Sequence, residues 1–240
     1  MSARIILSLL LALALGIDGA HARQSSRSAA SLAIERAIAP MKRITDVPYQ
    51  IDQDGNLTGR SEAAEKIWYE LAPQLNRVVG RTSPADVDDE ALSDILDQNE
   101  DLYGRSGNVL LPSIAHLGSR GVLGLVERIR AASDPEVRER LAEGLVSVAC
   151  VLQGSDVSDQ AVDAVIALLD NPTRGVVVNA VLTLGKFGPR ARVALPALEN
   201  VLQTALTREK TIPIFVGPQT SYLAQLAIDQ INGRSDNSCR

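Results

Sequence analysis

Two stretches of the chain begin in the same way. Residues 134–145 read DPEVRERLAEGL, and residues 171–182, 37 positions further on, read NPTRGVVVNAVL. Proline suits the first turn of a helix, where no intrahelical partner exists for its missing N–H. Asp134 or Asn171 before the proline can accept hydrogen bonds from the free backbone amides of that turn. We therefore predict a structural unit that is repeated, with a helix starting at each proline.

The rest of the chain shows helical periodicity and almost none of the alternation that is typical of strands. The segment 176–187 is apolar nearly all round, so we expect it in the middle of a stack with a helical pair on either side. Apolar spacing predicts an all-α fold of about nine to ten helices. The predicted helices cover residues 28–44, 61–79, 83–96, 121–132, 133–152, 158–170, 171–188, 196–206 and 218–233.

Three details of the N-terminal helices can be predicted. Leu32, Ile34 and Ile38 form the inward side of the first helix. Pro73 should kink the second helix, whose apolar stripe is Ile67, Trp68, Leu71 and Leu75. In the third, Ser83 is the expected cap and Pro84 the first helical residue.

The leucine-rich helices and their proline turns resemble the HEAT-like repeats of the armadillo-type α-solenoids. The stretches that carry the resemblance are 168–202 (LLDNPTRGVVVNAVLTLGKFGPRARVALPALENVL) and 134–148 (DPEVRERLAEGLVSV). The family's Leu-Gly-x-x-Gly stop is matched at residues 184–188 and echoed at residues 117–121. One departure is that Arg174 and Gly175 stand where the first unit has Val137 and Arg138.

The resemblance covers residues 108–233 and implies a right-handed α-solenoid of antiparallel helix pairs. Residues 23–107 then form a divergent N-terminal helical region that caps the stack, and residues 234–240 form a flexible tail.

The first 22 residues have the pattern of a cleavable signal peptide. Arg4 precedes an apolar run over residues 5–17, and Ala20-His21-Ala22 provides the small-x-small cleavage pattern. The run is shorter than the roughly 20 apolar residues of a membrane span. We expect cleavage after Ala22, a periplasmic or secreted protein, and no membrane span after removal of the signal.

Export bears on the two cysteines, Cys150 and Cys239, because disulfides persist in oxidising compartments. A disulfide is one interpretation. The other, which we favour from sequence alone, is one sheltered thiol late in a helix and one loose thiol in a polar tail.

Little in the sequence indicates catalysis. After signal removal His116 is the one histidine left, and we expect it to be structural, since no motif surrounds it. The sequence predicts no metal site and no cofactor, because one histidine and two distant cysteines do not make a zinc site.

Residues 51–59 (IDQDGNLTG) resemble a calcium loop at Asp52, Asp54 and Asn56. However, Leu57 and Ala63 occupy the positions at which a calcium loop needs Gly and Glu, so a turn is favoured.

Two further segments have two interpretations each. Residues 86–101 hold eight acids in sixteen residues, which is either a face for a basic partner or, as we favour, a solvated helix face. Residues 207–218 (TREKTIPIFVGP) form an apolar insertion, which is either a binding loop or a cover for the last repeat.

The leading functional hypothesis is an exported, non-enzymatic scaffold or adaptor that binds another protein. A net charge of −5 argues against nucleic acid as the partner. The alternatives are a cell-envelope enzyme that uses carboxylates of residues 23–107, or a structural accessory subunit of an envelope complex. The predicted contact residues lie on the inner helices and in the insertion, and they are Glu139, Glu143, Asn179, Thr183, Ile212, Ile214 and Phe215.

Overall fold

The chain folds into a stack of antiparallel helices. The structure is a computed structural model, and it describes residues 27–45, 50–51, 57–58, 67–102, 109–152, 157–211, 219–236 and 239. These residues contain ten α-helices, which agrees with the expected number. They are α1 (Ala29–Thr45), α2 (Ala72–Val79), α3 (Asp89–Leu102), α4 (Leu111–His116), α5 (Ser119–Ala131), α6 (Pro135–Val151), α7 (Asp159–Ile166), α8 (Arg174–Phe187), α9 (Leu195–Thr211) and α10 (Thr220–Ile231).

Short elements complete the described residues. A π-helical turn, Ile67–Leu71, leads into α2, and 3-10 turns cover Pro84–Asp86, Ala167–Asp170 and Gly188–Ala194. Two-residue strands β1 (Gln50–Ile51) and β2 (Leu57–Thr58) pair antiparallel at the two ends of the segment that resembles a calcium loop. The residues of the calcium-loop interpretation, Asp52, Asp54 and Asn56, lie between these strands and outside the described residues.

The helices form two layers. In the outer layer α3 packs on α5, α5 packs on α7, and α7 and α9 contact each other's flanking 3-10 turns. In the inner layer α2, α4, α6, α8 and α10 pack in that order. The α3–α4 pair stacks on α5 and α6 as later pairs do, so the helix stacking continues across the predicted boundary between residues 107 and 108. The predicted all-α solenoid fold is confirmed.

Helix α8 occupies the centre of the C-terminal half, as its apolar sequence predicted. It packs against α6 on one side and α10 on the other. Val176, Ala180, Val181 and Leu184 are fully buried. Burying such side chains removes apolar surface from water, which stabilises each by roughly 1.5 to 3 kcal/mol for a valine or leucine.

The two proline starts differ in structure. The Asp134 carboxylate accepts a hydrogen bond from the Glu136 amide at 2.8 Å, and α6 begins at Pro135 as predicted. The Asn171 side chain accepts from the Thr173 amide at 3.0 Å, but α8 begins at Arg174, two residues after Pro172. The prediction that Pro172 starts a helix is therefore wrong, because Asn171 closes a local turn instead of capping a helix.

Two glycines with positive φ connect the layers. Gly118 (φ +59°) precedes α5, and Gly188 (φ +58°) follows α8, and both have nearly the same ψ. Glycine adopts this conformation without the steric penalty of a Cβ. The structural equivalent of Gly118 is therefore Gly188, whereas the sequence echo had aligned Gly118 with Gly185.

The N-terminal helices differ from their predictions in detail. Ile34 and Ile38 are fully buried, but Leu32 is 37% exposed and is not part of the core. Pro73 lies in the first turn of α2, where the π-helical turn ends. After Ser83, Pro84 opens a 3-10 turn, and α3 starts only at Asp89, where Asp88 accepts from the Ala91 amide at 2.8 Å.

The cysteines form a disulfide. Cys150, near the end of α6, is bonded to Cys239, with a Cα–Cα distance of 5.6 Å. The interpretation of two free thiols, which the sequence favoured, is wrong. It failed because nothing in the local sequence shows that the end of α10 lies close enough to α6 for its last residues to reach Cys150.

Candidate protein-interaction surface

The exposed side of the inner helices α6 and α8 is the candidate surface. Glu139 and Glu143 are exposed on α6, opposite its buried stripe of Leu141, Leu145 and Val148. Asn179 is half-buried on α8. The structure thus leaves the two glutamates accessible, and Asn179 partly so, on adjacent helices of one layer.

Glu139 also has a packing role. A Cβ added to Gly175 would lie 2.1 Å from the Glu139 carboxylate, so this side chain covers the start of α8 at the glycine. A carboxylate near the first turn of a helix interacts favourably with the helix dipole. Glycine at position 175, the departure noted in the sequence, leaves the space that Glu139 occupies.

Thr183 does not belong to this surface. It is 0% exposed, and its hydroxyl donates to the Asn179 carbonyl at 2.8 Å within α8. The expectation that Thr183 contacts a partner is wrong, because α8 is packed between two inner helices and the hydroxyl is satisfied by its own helix. The apolar residues all round α8 were the sequence signal for this burial.

Polar contacts run along the N-terminal edge of the inner layer. Arg138 of α6 donates to the Thr173 hydroxyl at 3.3 Å and to the Ala132 carbonyl at 2.7 Å. Arg174 of α8 donates to the Thr220 hydroxyl of α10 at 3.3 Å. An arginine near the start of one inner helix thus contacts a threonine at the start of the next one, which ties the repeats together at this edge.

A groove of about 720 Å³ lies beside this edge and was not found from the sequence. It is formed by the segment from α7 to the start of α8, by one face of α9 along most of its length, and by the start of α10. Its lining combines apolar and charged side chains, including Val177, Val201, Ala205, Asp170, Arg174, Arg208 and Glu209. These residues come from three separate segments, so no single stretch of sequence indicates the groove.

The predicted contact residues Ile212, Ile214 and Phe215 lie outside the described residues.

The acidic helix α3 is bound to its neighbours. Lys42 of α1 lies 2.6 Å from the Asp94 carboxylate, and Arg128 of α5 lies 2.7 Å from the Asp97 carboxylate. Arg120 pairs with Asp89 at 2.7 Å. Asp89 and Asp97 are 98% and 46% exposed, which agrees with the favoured interpretation of a solvated face, whereas Asp94 is only 19% exposed beside Lys42.

Arg27 and Asp88 form the least exposed of these pairs. The Arg27 Nε donates to Asp88 Oδ2 at 3.0 Å, and Arg27 also pairs with Glu35 at 3.0 Å. Burial raises the pKa of Asp88, but hydrogen bonds from the Ala91 amide, Arg27 and Ser31 outweigh it and hold the pKa below 3.8. The bond to Asp88 raises the pKa of Arg27 against the opposing effect of burial.

His116 is engaged with the backbone. Its Nε2 donates to the Thr82 carbonyl at 2.8 Å, on the exposed side of α4.

Among the residues that the structure describes, no group of three or more His, Cys, Asp or Glu side chains could hold a metal ion. Within the same residues, each helix is too short or too polar to cross a membrane.

Comparison with known proteins identifies the repeats. Residues 122–211 match the family of HEAT repeats, over α5 to α9. This part of the chain is a HEAT-like repeat region. Among curated proteins none matches it. A crystal structure of an engineered protein from a structural genomics consortium is 18% identical, with 85% of this chain and 89% of that chain covered, and a TM-score of 0.34.

Proposed function

We propose that this HEAT-like repeat protein is an exported scaffold that binds another protein through the exposed side of α6 and α8. HEAT repeats are a fold of the protein-interaction kind and are typically non-catalytic. Stacked helix pairs present an extended surface that a partner can contact over several repeats. The observation that carries the proposal is the pair of exposed glutamates, Glu139 and Glu143, beside Asn179 on adjacent inner helices.

The charge of this surface favours a partner with basic side chains. Glu143 is exposed on α6, so it is the simplest position at which to test the role of charge on this surface. Glu139 is also exposed, but it contacts Gly175, so substituting it changes packing as well as charge.

The disulfide supports the export part of the proposal. Disulfides form and persist in the periplasm and outside the cell, and they are rare in reducing cytosol. The Cys150–Cys239 bond therefore agrees with the signal-peptide pattern of residues 1–22. Export predicts a mature chain that begins at Arg23 in the periplasmic or extracellular fraction, which intact-mass analysis of that fraction measures. A full-length chain in the cytosol contradicts export.

The enzyme alternative is weakened by the described carboxylates of the N-terminal region. Asp88, Asp89, Asp94 and Asp97 are each paired with an arginine or lysine. These four carboxylates are therefore engaged with basic side chains of the protein itself.

Site-specific cross-linking in intact cells tests the binding surface. A photo-cross-linking residue replaces Glu143 in one variant and Glu127, exposed on the outer helix α5, in the control. We expect position 143 to give a discrete cross-linked protein that position 127 does not give. With that protein purified, Glu143→Lys should weaken binding roughly tenfold or more, and Glu127→Lys should not. The same products from both positions would place binding elsewhere.

A further inference from the structure

The end of the chain is attached to the stack at two points. Cys239 is bonded to Cys150 of α6, while the residues just after α10 are hydrogen-bonded to α10 itself. We call the described residues 232–236 and 239 the C-terminal strap. Because α8 packs between α6 and α10, the strap joins two inner helices that belong to repeats one and three of a run of three.

The non-covalent attachment centres on Gln230. Its side chain is only 5% exposed, and its Nε2 donates to the Asp236 carbonyl at 2.9 Å. The Arg234 amide donates to the Asp229 carbonyl at 2.7 Å, which turns the strap back at the end of α10.

Gly185 on α8 makes room for this arrangement. A Cβ at Gly185 would lie 2.3 Å from Gln230 Oε1 and 3.1 Å from the Ala227 Cα. The contact between Gly185 and Gln230 therefore allows α8 to approach α10 closely. The same contact positions Gln230, to which the C-terminal strap is hydrogen-bonded.

A stack of repeats is held together mainly by contacts between neighbours, so its last repeat has a neighbour on one side only. The free energy needed to open such a repeat locally is smaller than that needed to open a repeat in the middle of the stack. The disulfide adds a bond between repeats that are not neighbours and closes a loop with a sequence separation of 89 residues. Opening of α9 and α10 is then restricted by their covalent link to α6.

We infer that the C-terminal strap is a redox-sensitive clasp, which makes the segment from α6 to α10 open as one unit when the disulfide is formed. Reduction releases the clasp, and α9 and α10 then open separately from α6. Cys239 is exposed and Cys150 is half-buried, so a dithiol can reach the bond from the Cys239 side.

The release step is a thiol–disulfide exchange. A thiolate of a dithiol reductant attacks one sulfur, the bond between Cys150 and Cys239 breaks, and a mixed disulfide forms. The second thiol of the reductant then displaces the protein sulfur. Two electrons and two protons pass from the dithiol, which becomes a cyclic disulfide, to the two protein thiols.

Hydrogen exchange of the full chain tests the clasp. In the oxidised protein we expect amides of α10 to be protected about as well as those of α6 and α8. After treatment with dithiothreitol, α9 and α10 amides should exchange roughly tenfold faster or more, while amides of α5 keep their rates. Equal α10 rates in the two states would overturn the inference, as would a uniform acceleration that includes α5.

A variant without either thiol supplies the control. Cys150→Ala with Cys239→Ser should exchange like the reduced protein, and dithiothreitol should leave its rates unchanged. A response of this variant to the reductant would show that the effect does not come from the disulfide, and would overturn the inference. Because the wild-type chain is reduced after folding, the test does not depend on whether the variant folds well.

Discussion

At the N-terminal end of the stack, α3 is joined to α1 and α5 by ion pairs between side chains, such as Lys42–Asp94 and Arg128–Asp97. At the C-terminal end, α6 is joined to the segment after α10 by a disulfide, and α8 packs against α10 through a glycine. The two ends of one fold therefore depend on different conditions. Ion pairs weaken with salt and with protonation of carboxylates, while a disulfide responds to reductant.

The largest expected effect is loss of the disulfide. Cys239→Ser should lower the free energy of unfolding by about 3 to 4 kcal/mol, because the unfolded chain is no longer constrained by the long loop. Denaturant unfolding of wild type and variant without reductant measures the difference. The loss should be the same at low and high salt, and a loss that depends strongly on salt would remove the contrast between the two ends.

Two glycines of α8 provide a matched pair for the next prediction. Gly185→Ala should destabilise by about 2 kcal/mol, since the new Cβ meets the buried Gln230 and the backbone of Ala227. Gly175→Ala should change stability by no more than about 0.5 kcal/mol, because the exposed Glu139 side chain can move aside and alanine favours the helix. Both variants can be compared by thermal unfolding. If the two substitutions lower the stability equally, the close approach of α8 to α10 at Gly185 has no special effect on stability.

Asp88 should make the N-terminal end sensitive to acid. Its pKa in the folded protein lies below its ordinary 3.8, so the unfolded chain binds this proton first. The stabilisation is therefore complete at neutral pH and decreases as the pH falls below about 4. Asp88→Ala should cost about 1 kcal/mol at pH 7 through loss of the cap and the pair with Arg27, and less at pH 3. Urea unfolding at both pH values checks this, and an equal cost at both would contradict it.

The smallest effect is expected at Asp89. This side chain is 98% exposed, so water and salt screen its pair with Arg120. Asp89→Ala should cost less than about 0.5 kcal/mol. Arg120→Ala should cost more, because Arg120 also donates to the Pro84 carbonyl at 2.8 Å. Chemical denaturation measures the loss of stability in each variant. A larger loss in Asp89→Ala than in Arg120→Ala would contradict this prediction.

Most of the helices could be predicted because their signals are local. The Asp134–Pro135 start and the apolar stripe of α6 are readable within one turn or two of chain. The Asn171–Pro172 start was misjudged, although it has the same pattern, because the choice between a cap and a turn depends on the residues that follow.

The candidate surface could be predicted only in part. Glu139 and Glu143 are exposed as expected, because the buried stripe of α6 determines its opposite face. Thr183 is buried and Leu32 is exposed, against expectation, because both outcomes depend on which helix packs opposite. The groove beside α9 draws on three segments, and its existence depends on how those segments meet.

Helical periodicity, caps and repeat spacing act between residues close in the chain, so the class of fold can be recognised from the order of the amino acids alone. The tertiary structure decided which charges pair with α3, that Gly118 corresponds to Gly188, and that Cys150 and Cys239 are bonded. The ion pairs and the disulfide join residues that are distant in sequence, and such contacts exist only once the layers have packed. The correspondence of the two glycines is a matter of backbone conformation at equivalent turns between the layers.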